Sequence, residues 1–345
     1  MEDSTIKIVG AGPAGLSAAI HLARKKNKVT VYERNSDVGM RFNNDFQGLE
    51  NWSTEEDVIN LFQTMSINVD FFHKAFYRGF LYGPSVNAEI ESEKPFFYLV
   101  KRGTDRDSLD HSLKEEAIDL GVRIIFNSNL NEQDGDIIAT GPRKARIFAI
   151  GMTFGTNLKD IAIIILDDRI APKGYAYLLV NDGKATLATV IFEKVKDHDK
   201  YLENAIRKFK EIADFDMSTS KKFFGFGSFL MPESAVEKNK LYVGEAAGFQ
   251  DFLFGFGIRY AVRSGYLAAK SIINNEDYDK LWKKDFNHQL KTSLSNRRIY
   301  SSFGDFGYDY LIKQTRDSVD PRKFWNRLYN QSLSRKIFHP IALYN

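Results

Sequence analysis

The stretch Thr5-Ile6-Lys7-Ile8-Val9-Gly10-Ala11-Gly12-Pro13-Ala14-Gly15, answered eighteen residues later by Glu33, decides the fold. Thr5 to Val9 is a short, largely apolar strand, and Gly10 to Gly15 is a glycine turn. Apolar residues at Leu16, Ala19, Ile20 and Ala23 then repeat with the spacing of one helix face. Arg24, Lys25 and Lys26 close that helix with cations, which suit the negative end of its dipole. Lys28 to Tyr32 is a second strand, and Glu33 and Arg34 stand at its end. In such a unit Gly10 permits the tight turn, Gly12 lets a pyrophosphate approach the backbone, and Gly15 lets helix and strand pack closely. The helix N-terminus offers free N–H groups to phosphate, and Glu33 offers an acceptor to ribose hydroxyls. The pattern therefore predicts a dinucleotide site at Gly10, Gly12, Pro13, Ala14, Gly15, Glu33 and Arg34. An acidic Glu33 disfavours a 2′-phosphate and so disfavours NADP, leaving FAD or NAD.

Working outward, 345 residues exceed what one hydrophobic core usually serves, so two lobes are expected. A formal charge of +3 is too small for a nucleic-acid partner, which calls for a concentrated basic face. The chain has no cysteine, which excludes disulfides, thiolate metal sites and cysteine nucleophiles. Redox chemistry, if present, must be carried by a bound cofactor. No stretch approaches a membrane-spanning length of apolar residues, and Met1-Glu2-Asp3-Ser4 is no signal peptide, so a cytoplasmic location is expected. Twenty-eight phenylalanines point either to an aromatic core or to a large apolar ligand site.

Further along, Ser53 and Glu56 read as a capping box opening a helix over 53–65. Strands are predicted at 67–72, 75–82, 96–101, 122–126, 136–139, 161–166, 175–180 and 185–192, and helices at 105–120 and 197–213. A buried strand Leu241-Tyr242-Val243 leads to Gly244-Glu245-Ala246-Ala247-Gly248, and the loop Phe254-Gly255-Phe256-Gly257 precedes a helix over 258–273. The alternation of strand and helix is thus interrupted by β segments and resumes near 240. The expectation is an α/β chain with a discontinuous Rossmann-like nucleotide-binding domain (1–65, 102–144 and 236–275), an inserted β-rich substrate domain (66–101 and 145–235) and a helical C-terminal region (276–345).

The segment Gly244-Glu245-Ala246-Ala247-Gly248, with Gly255-Phe256-Gly257-Ile258 and Ser264-Gly265-Tyr266-Leu267-Ala268-Ala269, resembles a flavoprotein superfamily. That superfamily contains geranylgeranyl reductases and p-hydroxybenzoate-hydroxylase-like monooxygenases, and the geranylgeranyl-reductase branch is the nearer match. The step Gly174-Tyr175-Ala176-Tyr177 is similar to that branch as well. The resemblance implies FAD as the cofactor, with the residue after Gly244 on the ribityl chain. It also implies that the amides of Gly255, Phe256, Gly257 and Ile258 face the flavin edge that gains charge on reduction. Ala139-Thr140-Gly141 resembles the later strand and turn that approach the FAD pyrophosphate. Three departures stand out: Glu245 replaces an aspartate, Phe256 stands where glutamate is frequent and no proline precedes it, and an early cysteine is absent from Gly39-Met40-Arg41-Phe42.

The segment 41–52 follows the second strand, where such folds bring the chain beside the flavin. Arg41 is a candidate for cofactor contact, or a solvated arginine paired with Asp37 or Asp45. Phe46, Trp52 and Tyr175 are candidates for a substrate pocket, against the alternative of plain core packing. The six histidines show no metal-ligand spacing, and no catalytic acid or base is assigned; His21 and His111 read as surface or packing residues. A second dinucleotide unit is missing, so electrons would come from transient NAD(P)H or a ferredoxin-like protein. The implied activity is reduction of carbon–carbon double bonds in an apolar, isoprenoid-like substrate. A FAD-dependent monooxygenase and a non-redox flavoprotein of the lycopene-cyclase type are the alternatives. The region 276–345 carries 13 basic against 8 acidic residues among many aromatics, which suits either a cover over the β-rich domain or peripheral contact with an anionic membrane.

Overall fold

A computed structural model describes residues 5–217 and 219–330 of the chain. The acidic Met1–Ser4 start, His339 and the last fifteen residues of the C-terminal region lie outside the described residues. In chain order the elements begin with β1 (Ile6–Val9), α1 (Pro13–Arg24), β2 (Val29–Tyr32), β3 (Asp45–Glu50) and α2 (Val58–Thr64). Next come β4 (His73–Phe76), β5 (Arg78–Tyr82), β6 (Asn87–Glu91), β7 (Phe97–Arg102), α3 (Leu109–Asp119), β8 (Arg123–Ile125) and β9 (Ile137–Ile138). Then follow β10 (Ile147–Gly155), β11 (Ile161–Ile165), β12 (Tyr175–Asn181), β13 (Lys184–Ile191), α4 (His198–Ile212) and β14 (Lys221–Gly227). The chain continues through β15 (Val236–Glu237), β16 (Lys240–Tyr242), α5 (Ile258–Asn274), α6 (Tyr278–Asp285), α7 (Asn287–Arg316) and α8 (Pro321–Asn330).

Three sheets organise these elements. A six-stranded sheet runs β15-β16-β9-β1-β2-β8, parallel throughout except for the β15–β16 hairpin. Its strands are gathered from both ends of the sequence, because β9 and β16 add to the free edge of β1 that β2 leaves open. Chain crossovers leave β1 in opposite directions, so a crevice opens at the carboxyl ends of β1, β2, β9 and β16. A seven-stranded sheet, β14-β10-β13-β12-β11-β5-β6, is antiparallel apart from the β11–β5 pair, and β3-β7-β4 forms a third, antiparallel sheet. Residues 66–101 thus divide between the second and third sheets.

The largest core lies between the six-stranded sheet and helices α1, α3, α5 and α6. A close backbone contact joins α1 to α5 within it. A methyl group built on Gly265 would lie 2.1 Å from the Ala14 carbonyl oxygen, and one on Gly15 would lie 2.1 Å from that of Gly10. The Ser17 hydroxyl donates to the Val262 carbonyl at 2.8 Å across the same seam. His21, on this helix, is buried and bonded to the carbonyls of Ser17 and Met65, so it is a packing residue. A second core lies between the seven-stranded sheet and the apolar face of α4, where Tyr201, Leu202, Ala205 and Phe209 are buried. A third brings α7 and α8 onto Trp52, Leu253 and Phe254.

Two expectations are corrected. The helix predicted over 53–65 begins only at Val58, and its cap is Asp57, whose carboxylate accepts from the Ile59 amide at 2.9 Å. Ser53 instead donates its hydroxyl to Glu50 at 2.8 Å, inside a buried network with Arg259. The apolar run 67–72 is no strand: Ile67 and Phe71 are buried as single residues under α1 and α3 without a sheet partner.

Replacing Gly265 by valine should lower stability by about 3 kcal/mol, since overpacking against backbone cannot be relieved by a rotamer change. The midpoint of urea unfolding checks this; an unchanged midpoint would show that the seam between α1 and α5 is not tight.

Candidate functional site

The crevice at the carboxyl ends of the parallel strands is the polar end of a cavity of about 600 Å³. Gly10, Gly12, Pro13 and Ala14 line it, with Glu33, Arg34, Arg41, Ala139, Thr140, Gly141, Gly244 and Glu245. From there it runs unbroken past Gly255, Phe256, Gly257 and Ile258 into a chamber walled by Trp52, Phe80, Phe97, Tyr175, Tyr177 and Trp325. Of the residues expected at a site, two stand outside the lining. Gly15 lies one turn down α1, packed on the Gly10 carbonyl, and Phe46 sits in a separate core with Phe76 and Leu99. Its strand neighbours Gln47 and Gly48 face the cavity instead.

At the polar end the glycine turn is held from behind. Gly10 adopts a left-handed φ of +104°, and a side chain there would meet the Ala139 carbonyl at 2.3 Å. Glu33 is buried; one carboxylate oxygen accepts from the Ala11 amide at 2.9 Å, the other from the Asn35 amide and side chain at 3.0 and 2.7 Å. Glu33 thus fixes the turn as well as facing the cavity. Gly12 is different in kind. Its backbone is ordinary extended conformation (φ −79°, ψ 176°), and an added methyl group would meet no protein atom within 4 Å. Nothing inside the protein explains a glycine there. Gly12 also caps α1 without a side-chain acceptor, so the first amides of the helix are directed into open space.

Arg41 pairs with neither Asp37 nor Asp45. It reaches Glu245 at 2.9 Å and the Phe226 carbonyl, lying between the Phe42 and Phe226 rings. Asp37 is engaged by Lys114 at 3.0 Å. Sequence reading did not find Arg102 and Asp110, which line the same end through a buried two-pronged ion pair with both bonds at 2.8 Å. Arg102 lies 4.2 Å from the centre of the Phe42 ring and thereby steadies the Arg41 layer above it. Neither residue belongs to a motif; only the fold brings β7 and α3 under the crevice.

At the far end the turn 251–257 is fixed by a buried acid. The Asp251 carboxylate accepts from the Leu253 and Phe254 amides at 3.1 and 2.8 Å, and Gln250 donates to the Gly255 carbonyl at 2.6 Å. Tyr175 donates to the Phe254 carbonyl at 3.0 Å, and Phe256 meets the Trp52 ring edge-on at 5.1 Å. Trp325 of α8 packs 5.9 Å from Trp52, which draws the C-terminal helices into the chamber wall. Among the described residues no group of three or more His, Asp or Glu side chains could hold a metal ion, and no helix is long and apolar enough to cross a membrane.

Residues 8–65 match the family model of the NAD(P)-binding Rossmann-like domain. An uncharacterised protein of Methanocaldococcus jannaschii is 22% identical over 347 residues, covering 90% of this chain and 88% of its own length. Among solved structures, a geranylgeranyl bacteriochlorophyll reductase-like protein from Thermoplasma acidophilum superposes with a TM-score of 0.76 at 17% identity, covering 98% of this chain and 100% of that one. A flavin-dependent brominase superposes with a TM-score of 0.66 at 15% identity, covering 98% of both chains. The likeness is one of fold: a Rossmann-like α/β architecture that flavin-dependent enzymes share.

Burial pushes the Asp251 carboxyl up to about 6 from an ordinary 3.8, against the two amide bonds that favour its charged form. The folded protein therefore binds this proton more tightly than the unfolded chain does. Stability should fall as pH rises from about 4 to about 6, by about 3 kcal/mol, and level off above. Asp251→Asn should remove that component. Thermal melts of both proteins from pH 4 to 7.5 test it; parallel curves would sink the assignment.

Proposed function

We propose that this chain is an FAD-dependent oxidoreductase that reduces carbon–carbon double bonds in an apolar, isoprenoid-like molecule. The observation that carries the cofactor reading is Gly12: the fold has no use for a glycine there, and a pyrophosphate pressed on the α1 amides does. The rest of the cradle fits the same group. Gly10, Pro13, Ala14, Ala139, Thr140 and Gly141 shape the pyrophosphate bed, and Glu33 with Arg34 faces the adenosine ribose. Arg41 and Glu245 lie between that bed and the turn 255–258, on the path of a ribityl chain.

Bound FAD supplies hydride transfer, which no side chain of this cysteine-free protein supplies. The protein's own part is orientation and exclusion of water. The Gly255 amide is taken by the Asp251 carbonyl, so the amides of Phe256, Gly257 and Ile258 at the α5 N-terminus would offer a positive field where a flavin edge would gain charge. Trp52, Tyr175 and Phe256 wall an apolar chamber beside it, with Phe80, Phe97 and Trp325 beyond. A chamber so lined favours a hydrocarbon-like substrate and offers little to a charged one. In domain terms, 1–65, 102–144 and 236–275 would hold the cofactor and 66–101 with 145–235 the substrate. Region 276–345 would cover the chamber through α7 and α8. Transient NAD(P)H or a ferredoxin-like protein would supply electrons. The likeness to a flavin-dependent brominase keeps one other reading in view, an oxygen-using enzyme of the monooxygenase kind.

The purified protein should show oxidised-flavin absorption, or acquire it on reconstitution with FAD. Anaerobic titration with NADPH, NADH and reduced ferredoxin should bleach it with one of the three. Oxygen uptake coupled to hydroxylation would replace the reductase by the monooxygenase reading, and a protein that never binds FAD would end both. Gly12→Val should weaken FAD binding on the order of 100-fold, about 2.7 kcal/mol. Its apoprotein melting temperature should stay within about 2 °C of wild type, because a β-carbon at Gly12 meets no protein neighbour within 4 Å and the extended backbone there suits any residue. A large loss of melting temperature would mean that Gly12 serves the fold after all.

A further inference from the structure

Behind the aromatic end of the cavity lies a second polar centre, distinct from the cofactor cradle. Asp251 is 1% exposed and organises the turn that leads into α5. Its carboxylate takes the amides of Leu253 and Phe254, its own amide donates to the Phe256 carbonyl at 2.9 Å, and its carbonyl accepts from the Gly255 amide at 2.9 Å. The turn is braced from outside as well. The Phe252 amide donates to the Ser293 hydroxyl at 3.1 Å, and Arg297 donates to the Leu253 carbonyl at 3.1 Å.

The ionisable groups facing Asp251 come from five elements: Glu50 of β3, Tyr175 of β12, Tyr260 of α5, Arg297 of α7 and Tyr329 of α8. Among the described residues none forms an ion pair with it. Glu50 is itself engaged by Arg259 at 3.4 Å and by the amides of Trp52 and Ser53. Arg297 is committed to the carbonyls of Leu253 and Lys173 and to the face of Phe192 at 3.5 Å. Beside this carboxylate the Tyr260 and Tyr329 hydroxyls are buried without a hydrogen-bond partner of normal geometry, and so is the indole N–H of Trp52, which packs against Tyr329. A carboxylate in a dry, rigid setting with spare polar hydrogens beside it is poorly screened from any new charge nearby.

We propose that Asp251 is a positioning residue that couples proton binding to charge in the cavity: it anchors the turn 252–257 and takes up a proton when negative charge arrives at the α5 N-terminus. The proposal rests on the FAD reading, in which that charge arrives with reduction of the cofactor. The balance is simple. Two electrons from a reductant enter the bound cofactor together with the protons the cofactor takes for itself. One further proton passes from solvent to the Asp251 carboxylate, which becomes a neutral carboxyl, and no other bond changes. An Asp251 that already titrates near pH 6 needs only modest repulsion to stay protonated at neutral pH.

The test uses the full-length, FAD-loaded protein, with dithionite as electron source and redox dyes as mediators. The midpoint potential is followed from pH 5.5 to 8.5, and its slope gives the protons taken up per two electrons. Wild type should take up one proton more than Asp251→Asn in the window just above pH 6, with the two slopes converging at higher pH. Tyr329→Phe, which leaves the turn's hydrogen bonds intact, should move the end of that window to higher pH, because the charged carboxylate loses a neighbouring hydroxyl. Equal proton counts in wild type and Asp251→Asn overturn the proposal while the FAD reading stands. If Asp251→Asn does not fold, an unshifted window in Tyr329→Phe overturns it likewise. Failure of wild type to bind FAD removes both.

Discussion

The structure depends on how closely the backbone of the first glycine turn approaches two other pieces of backbone. Gly10 lies against the Ala139 carbonyl, Gly15 against that of Gly10, and Gly265 against that of Ala14. These contacts leave no room for side chains, and they fix the N-terminus of α1 between the ends of β1, β9 and β16. The consequence is geometric. Residues 10–14 and the lining positions of 244–258 are more than two hundred positions apart in the chain, yet they become two banks of one cavity. Loosening that seam would move the amides of α1 relative to the turn before α5, so binding at one end depends on packing at the other.

Parts of this plan were legible in the sequence for a physical reason. A glycine forced by close approach leaves a local signature, and so does a strand that ends on an acid. Gly10 and Glu33 were visible on that ground, Gly12 through the spacing of the glycine pattern, and Gly244 with 255–258 through the resemblance to known flavoproteins; all of them line the cavity. What stayed hidden were interactions made only by tertiary structure. Ser53 and Glu56 have the spacing of a capping box, but the chain there is drawn to Arg259, a partner 206 positions away from Ser53. That recruitment delays the helix to Val58. Phe46 carries no mark of its side in the sequence, because strand alternation alone does not say which face of β3 meets the cavity. Trp325 entered the chamber wall from a helical region that its sequence left open between a cover and contact with a membrane surface.

The Arg41–Glu245 pair shows how a departure from a family pattern can acquire its own logic. Glutamate at 245 reaches Arg41 at 2.9 Å, across the gap between the loop after β2 and the turn after β16. An aspartate, about one carbon–carbon bond shorter, would leave that gap open. Arg41 is then held by one carboxylate, one carbonyl and two aromatic faces, and Phe42 passes the constraint on to Arg102 and Asp110. The layer is partly exposed, so its ion pair contributes little stability by itself. Its effect lies in geometry, because it joins three separate segments over the middle of the cavity.

The two ends of that cavity oppose each other in electrostatic design. At the α1 end, free amides and surrounding arginines attract negative charge and water competes with them. At the α5 end, the N-terminal amides of the helix lie beside an aromatic chamber where water is scarce and each partial charge counts for more. Placing Asp251 directly behind those amides works against both folding and the field they create, since a buried carboxylate is costly and its charge opposes an incoming anion. An asparagine or serine would bring no charge but only one acceptor oxygen, whereas the two amides of Leu253 and Phe254 sit on separate oxygens of the acid. Keeping the acid makes the field at the α5 end depend on a proton. An ionisable anchor in a rigid, dry turn is thus a means of letting the protein's charge follow the charge of what it holds.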